Sequence, residues 1–348
     1  MSMVKKYLHR YFIDAMGAMA LGLFASLLIG TIFGTIGQYM HLEMFTTMAN
    51  YAKAAAGMAI GVAIAYKLGA HPLVMFSCAA VGAMSYDMGV VTSNGAITEW
   101  AVSNGIDAGP AGAFFAVIIA TEIGMLVSKK TKIDILVTPV VTIFTGFAAS
   151  WLLSPIISYL MYYLGQFINV TTELHPFLMG VIISVIVGIV LTLPISSAAI
   201  CASIGIAGLA GGAATAGCCA QMVGFAVMSF KENKVNGLLS QGLGTSMLQM
   251  GNICKNPKIW IPPILASAIC GPLATCVFKL KCTGVSAGMG TCGLVGPIGV
   301  IAATENGALM WTGIILACFV LPAALSLIFA EIMRKIGWIK ENDLKLED

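Results

Sequence analysis

The sequence predicts an all-α polytopic membrane protein with about ten transmembrane helices and two re-entrant hairpins. Of its 348 residues, 59% are hydrophobic and only 9% are charged, whereas soluble domains carry about 25% charged residues. The apolar runs reach about 20 residues, which is the length that a helix needs to cross a bilayer. Lysine and arginine gather at alternate ends of these runs, as expected for cytoplasmic loops.

Composition also excludes several classes of function. The sequence contains no GxxxxGK[ST] or HExxH motif, and we predict no catalytic residue and no cofactor. The ten cysteines include no CxxC pair, which favours small packing residues over a metal site. The basic residues form short clusters beside apolar runs, so no nucleic-acid partner is predicted.

The apolar runs define the predicted spans. The run 194–230 is too long for one crossing and has Gly211-Gly212 near its middle, so we divide it into a seventh and an eighth span. In chain order the ten predicted spans are 14–38, 48–68, 72–92, 109–128, 134–165, 176–193, the two within 194–230, 259–278 and 308–332.

Positive charge orients these spans, because lysine and arginine accumulate on the cytoplasmic side. Lys5, Lys6 and Arg10 precede the first span, and Arg334 and Lys335 follow the last. With ten spans both termini are cytoplasmic. The loops predicted to lie outside (39–47, 93–108 and 166–175) contain no lysine or arginine, and the exceptions to the rule are Lys279 and Lys281.

Two segments fit no span. Residues 236–253 (the first hairpin) lie between two basic clusters, and residues 283–305 (the second hairpin) lie between spans nine and ten. A full crossing at either place would put basic residues outside. Six of the seventeen residues in 283–299 are glycine, which weakens a helix and permits sharp turns. We therefore predict that 284–299 enters the membrane and returns; a glycine-rich helix packed in a bundle is the alternative.

The chain also divides into two predicted halves of five spans each, 1–170 and 171–348. KTKIDILVTP at 130–139 resembles KNPKIWIPP at 255–263, because in both a basic loop leads into a span with proline shortly after. An odd number of spans per half makes the halves inverted, which is typical of alternating-access transporters.

Polar groups at membrane depth are the candidate binding residues, because such groups are expensive in lipid. Glu122 lies inside the fourth span, and pairing with a lysine at the helix end is its alternative role. Glu305 and Asn306 follow the glycine-rich stretch, where an ordinary exposed loop acid is the alternative for Glu305. Gln249 and Asn252 lie in the first hairpin. The unpaired backbone of the second hairpin adds four further candidates: Gly288, Gly290, Thr291 and Gly293.

The stretches SAGMGTCGLVGPIG at 286–299, NPKIWIPP at 256–263 and TKIDILVTP at 131–139 resemble the glucose-superfamily enzyme IIC of the bacterial sugar phosphotransferase system. They are most similar to its PfoR-type (toxin-regulator) branch. The resemblance implies a protein of the bacterial inner membrane, a homodimer formed through the first five spans and a substrate site in the second half. It also implies that Glu305 takes the place of a sugar-binding glutamate. Where the family has a histidine, Gln249 and Asn252 stand instead.

We therefore expect a membrane transporter of a small polar solute, sugar-like or another small metabolite, and not an enzyme. The alternatives are a phosphotransferase permease that works with separate IIA and IIB proteins, and a membrane-embedded sensor or regulator. The expected partners are the solute, the lipid bilayer and a second copy of the chain. Small residues along the first span permit close helix approach in such a dimer: Gly17, Gly22, Gly30 and Gly34.

Overall fold

The computed structural model describes residues 7, 9–93, 96–102 and 106–346. Lys5 and Lys6, which helped to orient the chain, lie outside the described residues, as do 94–95 and 103–105 of the predicted loop 93–108. The chain divides into two compact units, Met1–Tyr162 and Tyr163–Asp348. This division falls eight residues before the predicted one at 170, and both positions lie inside one long helix, Asp134–Thr171.

Unit 1 is a series of helices that alternate in direction. A Cβ added to Gly22 would meet the backbone of Ala59, and one added to Gly37 would meet Thr46, so the first helix runs antiparallel to the chain that follows it. The helices are α1 (Arg10–Gln38), the bent pair α2 (Glu43–Ala54) and α3 (Ala56–Lys67), α4 (Pro72–Asp87), α5 (Gly109–Val127) and the first part of α6 (Asp134–Thr171).

A small sheet connects α4 and α5. Strand β1 (Met88–Ser93) pairs antiparallel with β2 (Ala96–Val102) and with β3 (Ile106–Asp107), which gives the order β2-β1-β3. The third span was predicted to continue to residue 92, but α4 ends at Asp87 and the chain then turns into β1. The run Gly-Val-Val-Thr is rich in β-branched residues, which favour a strand over a helix end.

The glycines of α1 also correct one expectation. Gly22, Gly30 and Gly34 face α2 and α3 of the same chain, and only Gly17 has open space where a Cβ would stand. Small residues there let the helices of unit 1 approach closely. Three of the four glycines therefore have an intrachain packing role, and they give no reason to expect a dimer.

Unit 2 contains the remaining helices and several irregular turns. Its buried centre is α9, which carries seventeen buried residues over 21 positions. The helices in chain order are α7 (Pro176–Thr192), α8 (Ser197–Ser203), α9 (Gly208–Met228), α10 (Phe230–Leu239), α11 (Met250–Lys255), α12 (Pro257–Val277), α13 (Gly284–Ala287), α14 (Val295–Ala303) and α15 (Ala308–Lys335).

The region 194–230 differs from the prediction of two full spans. The structure has one helix of seven residues, α8, and one of 21, α9. Seven residues of helix cover only about 10 Å, far less than the roughly 30 Å of a bilayer core. Pro194 and two glycines, Gly205 and Gly208, with φ of 62° and 63°, keep this stretch from forming a long helix.

The chain nevertheless runs back across unit 2 between the end of α7 and the start of α9. Gly188 packs against Gly217, and Thr192 bonds Gln221, so the residue numbers of α7 and α9 rise together and the two helices are parallel. Two parallel helices joined in sequence require the connection, residues 193–207, to travel back. The predicted seventh crossing is therefore replaced by a return segment that is only partly helical.

Six helices of the described residues are long and apolar enough to cross a membrane, or seven if the bent α2–α3 pair counts as one span. Those six contain most of the predicted first, fourth, fifth, eighth, ninth and tenth spans. The predicted third and sixth spans correspond to shorter helices, Pro72–Asp87 and Pro176–Thr192. The structure thus supports a polytopic helical membrane protein and leaves the count of ten as a prediction.

Candidate functional site

The second hairpin leaves one end of α9 and returns to it. A Cβ added to Gly212 would meet the carbonyl oxygen of Leu280, which places the start of the hairpin beside the first turns of α9. On the way back, Thr304 Oγ1 accepts a hydrogen bond from Lys281 N at 2.9 Å and donates one to Lys281 O at 3.0 Å. The excursion therefore begins and ends at the same level of unit 2, as predicted for 284–299.

The tip of this hairpin packs against the middle of α9. A Cβ added to Gly290 would lie 2.8 Å from the carbonyl carbon of Cys218, and Thr291 Oγ1 lies 3.6 Å from Met222 Sδ. Met222 is ten residues along α9 from Gly212, or about 15 Å. Gly290 and Gly293 have φ of 54° and 51°, which a side chain disfavours. Close packing and turn geometry together explain why glycine stands here.

The first hairpin enters from the opposite end of α9. Gln241 Nε2 donates to Ser229 Oγ at 2.8 Å, just beyond the last turn of α9. Ser246 then bonds Thr192 at 2.7 Å, beside Gln221 and about 12 Å back along α9 from Ser229. The chain returns through α11.

The two hairpins meet at their tips. Thr291 Oγ1 in the second hairpin donates to Gly242 O in the first, at 2.5 Å. Each hairpin contains short helices broken by turns, so main-chain groups there lack the regular partners of a long helix. The structure thus brings Thr291, with Gly290 and Gly293 beside it in the chain, to the turn of the first hairpin, whereas the predicted residue Gly288 packs against Ser197 of α8. The sequence did not predict this meeting.

A buried polar cluster lies beside the meeting point. Gln221 is fully buried in α9, and its Oε1 accepts hydrogen bonds from Trp260 Nε1 at 3.0 Å and from Thr192 Oγ1 at 3.4 Å. Its Nε2 lies 3.4 Å from Ser267 Oγ. A carboxamide, an indole N–H and hydroxyls are groups suited to a hydroxyl-rich solute. We call these residues the Gln221 cluster: Thr192, Gln221, Ser246, Trp260 and Ser267.

The sequence contained a weak signal for this cluster. Gln221 is a polar residue inside an apolar span, yet the sequence alone assigns it no partner. Its partners come from two other helices, α7 and α12, so only the fold brings them together. Trp260 and Ser267 are two turns apart on one face of α12, and a solitary serine in an apolar helix more often bonds its own helix.

The predicted residues of the first hairpin are buried. Gln249 is fully buried and Asn252 is 7% exposed. Asn252 Nδ2 donates to Gln249 Oε1 at 2.8 Å, and Gln249 Nε2 donates to Gln241 Oε1 at 2.9 Å. The three carboxamides therefore form a continuous chain of hydrogen bonds that ends at Ser229.

Glu305 and Asn306 lie at the base of the second hairpin, away from its tip. Nine residues of α14 (Val295–Ala303), about 13 Å of helix, separate them from the tip at Thr291. Both are exposed, and Asn306 Oδ1 accepts a hydrogen bond from Trp311 Nε1 at 3.1 Å. The structure does not bring these two residues together with the glycines of the tip.

Glu122 belongs to unit 1, where Arg10 is its partner. Arg10 Nη2 lies 2.7 Å from Glu122 Oε1 and 3.2 Å from Leu68 O. Both side chains are about one third exposed, at 36% and 34%. The alternative role for Glu122 was pairing with a lysine near the helix end; the cation is instead Arg10, the first residue of α1. Arg10, Glu122 and Leu68 lie toward the ends of three unit 1 helices, α1, α5 and α3, and all three ends were predicted to be cytoplasmic.

Comparison with known proteins adds one finding to this geometry. The family model described as phosphotransferase system, EIIC matches residues 13–346, which is nearly the whole chain. No curated protein and no solved structure matches the chain.

Proposed function

Because the chain belongs to the EIIC family of the phosphotransferase system, whose members are membrane permease components, we propose that it carries its solute through unit 2, past the tips of the two hairpins. The observation that carries this proposal is the hydrogen bond between Thr291 and Gly242. It joins two broken segments that enter from opposite ends of α9. Movement of either hairpin would open the meeting point toward one side, as alternating access requires.

The solute site that we propose includes residues of both hairpins. The backbone around Gly288, Gly290 and Gly293 and the hydroxyl of Thr291 lie at the tip of the second hairpin, and Gln249 and Asn252 belong to the first. Glu305 and Asn306, exposed at the base, would meet the solute along its path. The Gln221 cluster supplies further donors and acceptors. A sugar or a similar hydroxyl-rich metabolite fits these neutral groups and the carboxylate of Glu305 better than an anion does.

A pair of threonines tests the site. Thr291→Val keeps the shape of the side chain and removes the hydroxyl that joins the hairpins. Thr312→Val is the control, because Thr312 is exposed and bonds carbonyls of its own helix. In cells that lack other sugar permeases, we expect Thr291→Val to lower uptake of the transported monosaccharide by about tenfold or more. Equal uptake by the two variants at equal membrane abundance would contradict the proposal.

Coupling to phosphorylation is the finer part of the proposal. Members of this system work with separate IIA and IIB proteins, which favours a requirement for such a partner. The chain departs from the family at the first hairpin, where Gln249 and Asn252 stand instead of a histidine. We propose that sugar uptake requires a separate IIB protein. Uptake by vesicles that contain phosphoenolpyruvate and the soluble components, compared with vesicles that lack them, tests this. Equal uptake in both would instead favour facilitated or ion-coupled transport.

Topology and assembly complete the proposal. We propose ten crossings, with residues 193–207 as the seventh, and both termini in the cytoplasm. We also propose that the chain forms a homodimer and belongs to the PfoR-type branch. The parallel arrangement of α7 and α9 supports the count. An impermeant thiol reagent added to intact cells should label cysteines introduced at 166–175 and not at 231–235. The reverse pattern would overturn the orientation, and a monomeric mass in nanodiscs would overturn the dimer.

A further inference from the structure

Residues 337–346, which we call the strap, follow the last helix and lie on the first hairpin. Gly337, with φ of 79°, ends α15, and the chain then continues without a regular helix. Two strap side chains are buried, Ile339 at 2% exposure and Leu344 at 0%. Lys340, Glu341 and Lys345 are exposed. The strap is therefore held by few apolar contacts.

Side-chain amides hold the main chain of the strap. Leu344 O accepts hydrogen bonds from Asn233 Nδ2 at 2.7 Å and from Gln249 Nε2 at 2.9 Å. Lys345 O accepts one from Asn252 Nδ2 at 2.8 Å, and Leu346 N donates to Asn233 Oδ1 at 2.9 Å. Asn233 thus pairs with the strap as a neighbouring β-strand would, through one donor and one acceptor.

These bonds use every amide hydrogen of the two predicted solute residues. Gln249 Nε2 donates to the strap and to Gln241, and Asn252 Nδ2 donates to the strap and to Gln249. A carboxamide has only two such hydrogens. A solute can bond these donors only by replacing an acceptor that is already present, and the acceptors outside the first hairpin are the carbonyl oxygens of Leu344 and Lys345. A buried donor left without a partner is unfavourable.

We propose that the strap is a releasable plug, whose main-chain carbonyls occupy an amide groove and exclude the solute from Gln249 and Asn252. This rests on the proposed function, which assigns those two residues to the solute. The hydroxyl oxygens of a sugar can accept the same hydrogen bonds as a peptide carbonyl. The exchange of one acceptor for another leaves the buried amides satisfied in both states.

Hydrogen–deuterium exchange of the full chain in nanodiscs tests the plug without any solute. In the wild type, we expect strap amides to exchange about tenfold or more faster than those of α9, because a plug opens locally. Leu344→Asp removes the buried anchor and should speed exchange in 245–253 by about tenfold. Lys345→Ala is the matched control, because only the main-chain carbonyl of Lys345 contacts the groove.

Three results would overturn the plug. The first is strap exchange as slow as that of α9, which indicates a permanent clasp. The second is unchanged exchange of 245–253 in Leu344→Asp, and the third is an equal effect of Lys345→Ala. If Leu344→Asp also loses protection in α9, the variant is misfolded, and the milder Asn233→Ser decides by the same criteria.

A synthetic peptide tests whether the groove exchanges its ligand. The peptide WIKENDLKL, which copies 338–346, is added at about 1 mM to the Leu344→Asp chain, because a free peptide lacks the high effective concentration of a tethered one. We expect it to restore protection of 245–253, while a scrambled peptide does not. Failure of the peptide to restore protection would contradict the idea that one ligand can replace another in the groove. Neither assay uses a solute, so failure of the plug is distinguished from failure of the solute site, which Thr291→Val tests.

Discussion

The two units differ in where their buried polar side chains find partners. In unit 1, hydroxyls such as Ser26, Ser77 and Thr142 donate to the carbonyl four residues earlier in their own helix. In unit 2, Gln221, Gln249 and Thr291 bond groups on other elements. A hydroxyl satisfied within its own helix is indifferent to its neighbours, whereas a bond between elements depends on their arrangement. Unit 1 therefore reads as a scaffold, and unit 2 as the part that responds to a solute.

Unit 1 also contains polar contacts between different helices, and these limit the comparison. Ser85 bonds Ser150 on another helix, and Arg10 pairs with Glu122. The first is a pair of small hydroxyls between closely packed helices. The second lies at the ends of helices, where solvent reaches both side chains. If the comparison holds, substitutions in unit 1 change stability, and substitutions at the hairpins of unit 2 change transport.

The largest effect is expected at the tip of the second hairpin. Gly290→Val places a branched side chain 2.8 Å from the Cys218 backbone at a φ of 54°, so we expect about 1–3 kcal/mol of destabilisation and loss of uptake. Gly307→Val is the control, because a Cβ there meets nothing within 4 Å. Thermal unfolding and uptake measure both. Wild-type uptake by Gly290→Val would break the comparison.

The next largest effect is expected at the Gln221 cluster. Gln221→Leu leaves the indole N–H of Trp260 without its acceptor, which costs about 1–3 kcal/mol when the group is buried. We expect uptake to fall by about tenfold or more. Ser77→Ala is the counterpart in unit 1, because Ser77 bonds only its own helix among the described contacts. If Ser77→Ala lowers uptake as strongly, the distinction between the units fails.

A smaller effect is expected at the base of the second hairpin. Glu305→Gln keeps the size of the side chain and removes its charge, so binding of a hydroxyl-rich solute should weaken by about threefold to tenfold, the range of one hydrogen bond to a charged group changed to a neutral one. Calorimetric titration with the transported sugar measures this. Wild-type affinity in Glu305→Gln would make Glu305 an ordinary loop acid and would confine the site to the hairpin tips.

The smallest effect on transport is expected at Glu122. Glu122→Gln breaks the ion pair with Arg10, and for a pair about one third exposed we expect at most about 1 kcal/mol of stability. Uptake should stay within about twofold of the wild type. A large loss of uptake with an unchanged melting temperature would indicate that Glu122 belongs to the solute site and that unit 1 takes part in transport.

Much of the fold follows from local patterns in the sequence. Apolar length predicts the helices Gly109–Val127 and Ala308–Lys335, and glycine density with charge placement predicts that 284–299 turns back. The seven-residue α8 was missed, because the apolar run 194–230 has the same composition whether its first part forms a full span or a short helix with non-helical flanks. The strand β1 was missed for a similar reason, since its apolar residues continue the pattern of α4.

The site was predictable only in part, because its contacts are between distant residues. A polar residue in an apolar span indicates a partner but does not identify it. Thr291 and Gly242 are 49 positions apart, and Leu344 and Gln249 are 95 apart. The strap carries no signal of its own, since its contacts use main-chain carbonyls that every residue has. Only the fold shows that Gln249 and Asn252 already have acceptors.

The meeting of the two hairpins is the central claim, and a reversible cross-link tests it most directly. In the double variant Gly242→Cys with Thr291→Cys, a short bifunctional methanethiosulfonate reagent should join the two thiols, because the hydrogen bond from Thr291 Oγ1 to Gly242 O brings the two residues into contact. A reagent with a spacer is used because a Cβ at Gly242 would meet Ala226 and no atom of Thr291 within 4 Å, which does not suit a direct disulfide. We predict that the link stops uptake and that dithiothreitol restores it, while the same reagent leaves uptake by each single variant unchanged. A link that forms and leaves uptake unchanged would contradict transport between the hairpin tips, and failure to form the link would contradict their meeting.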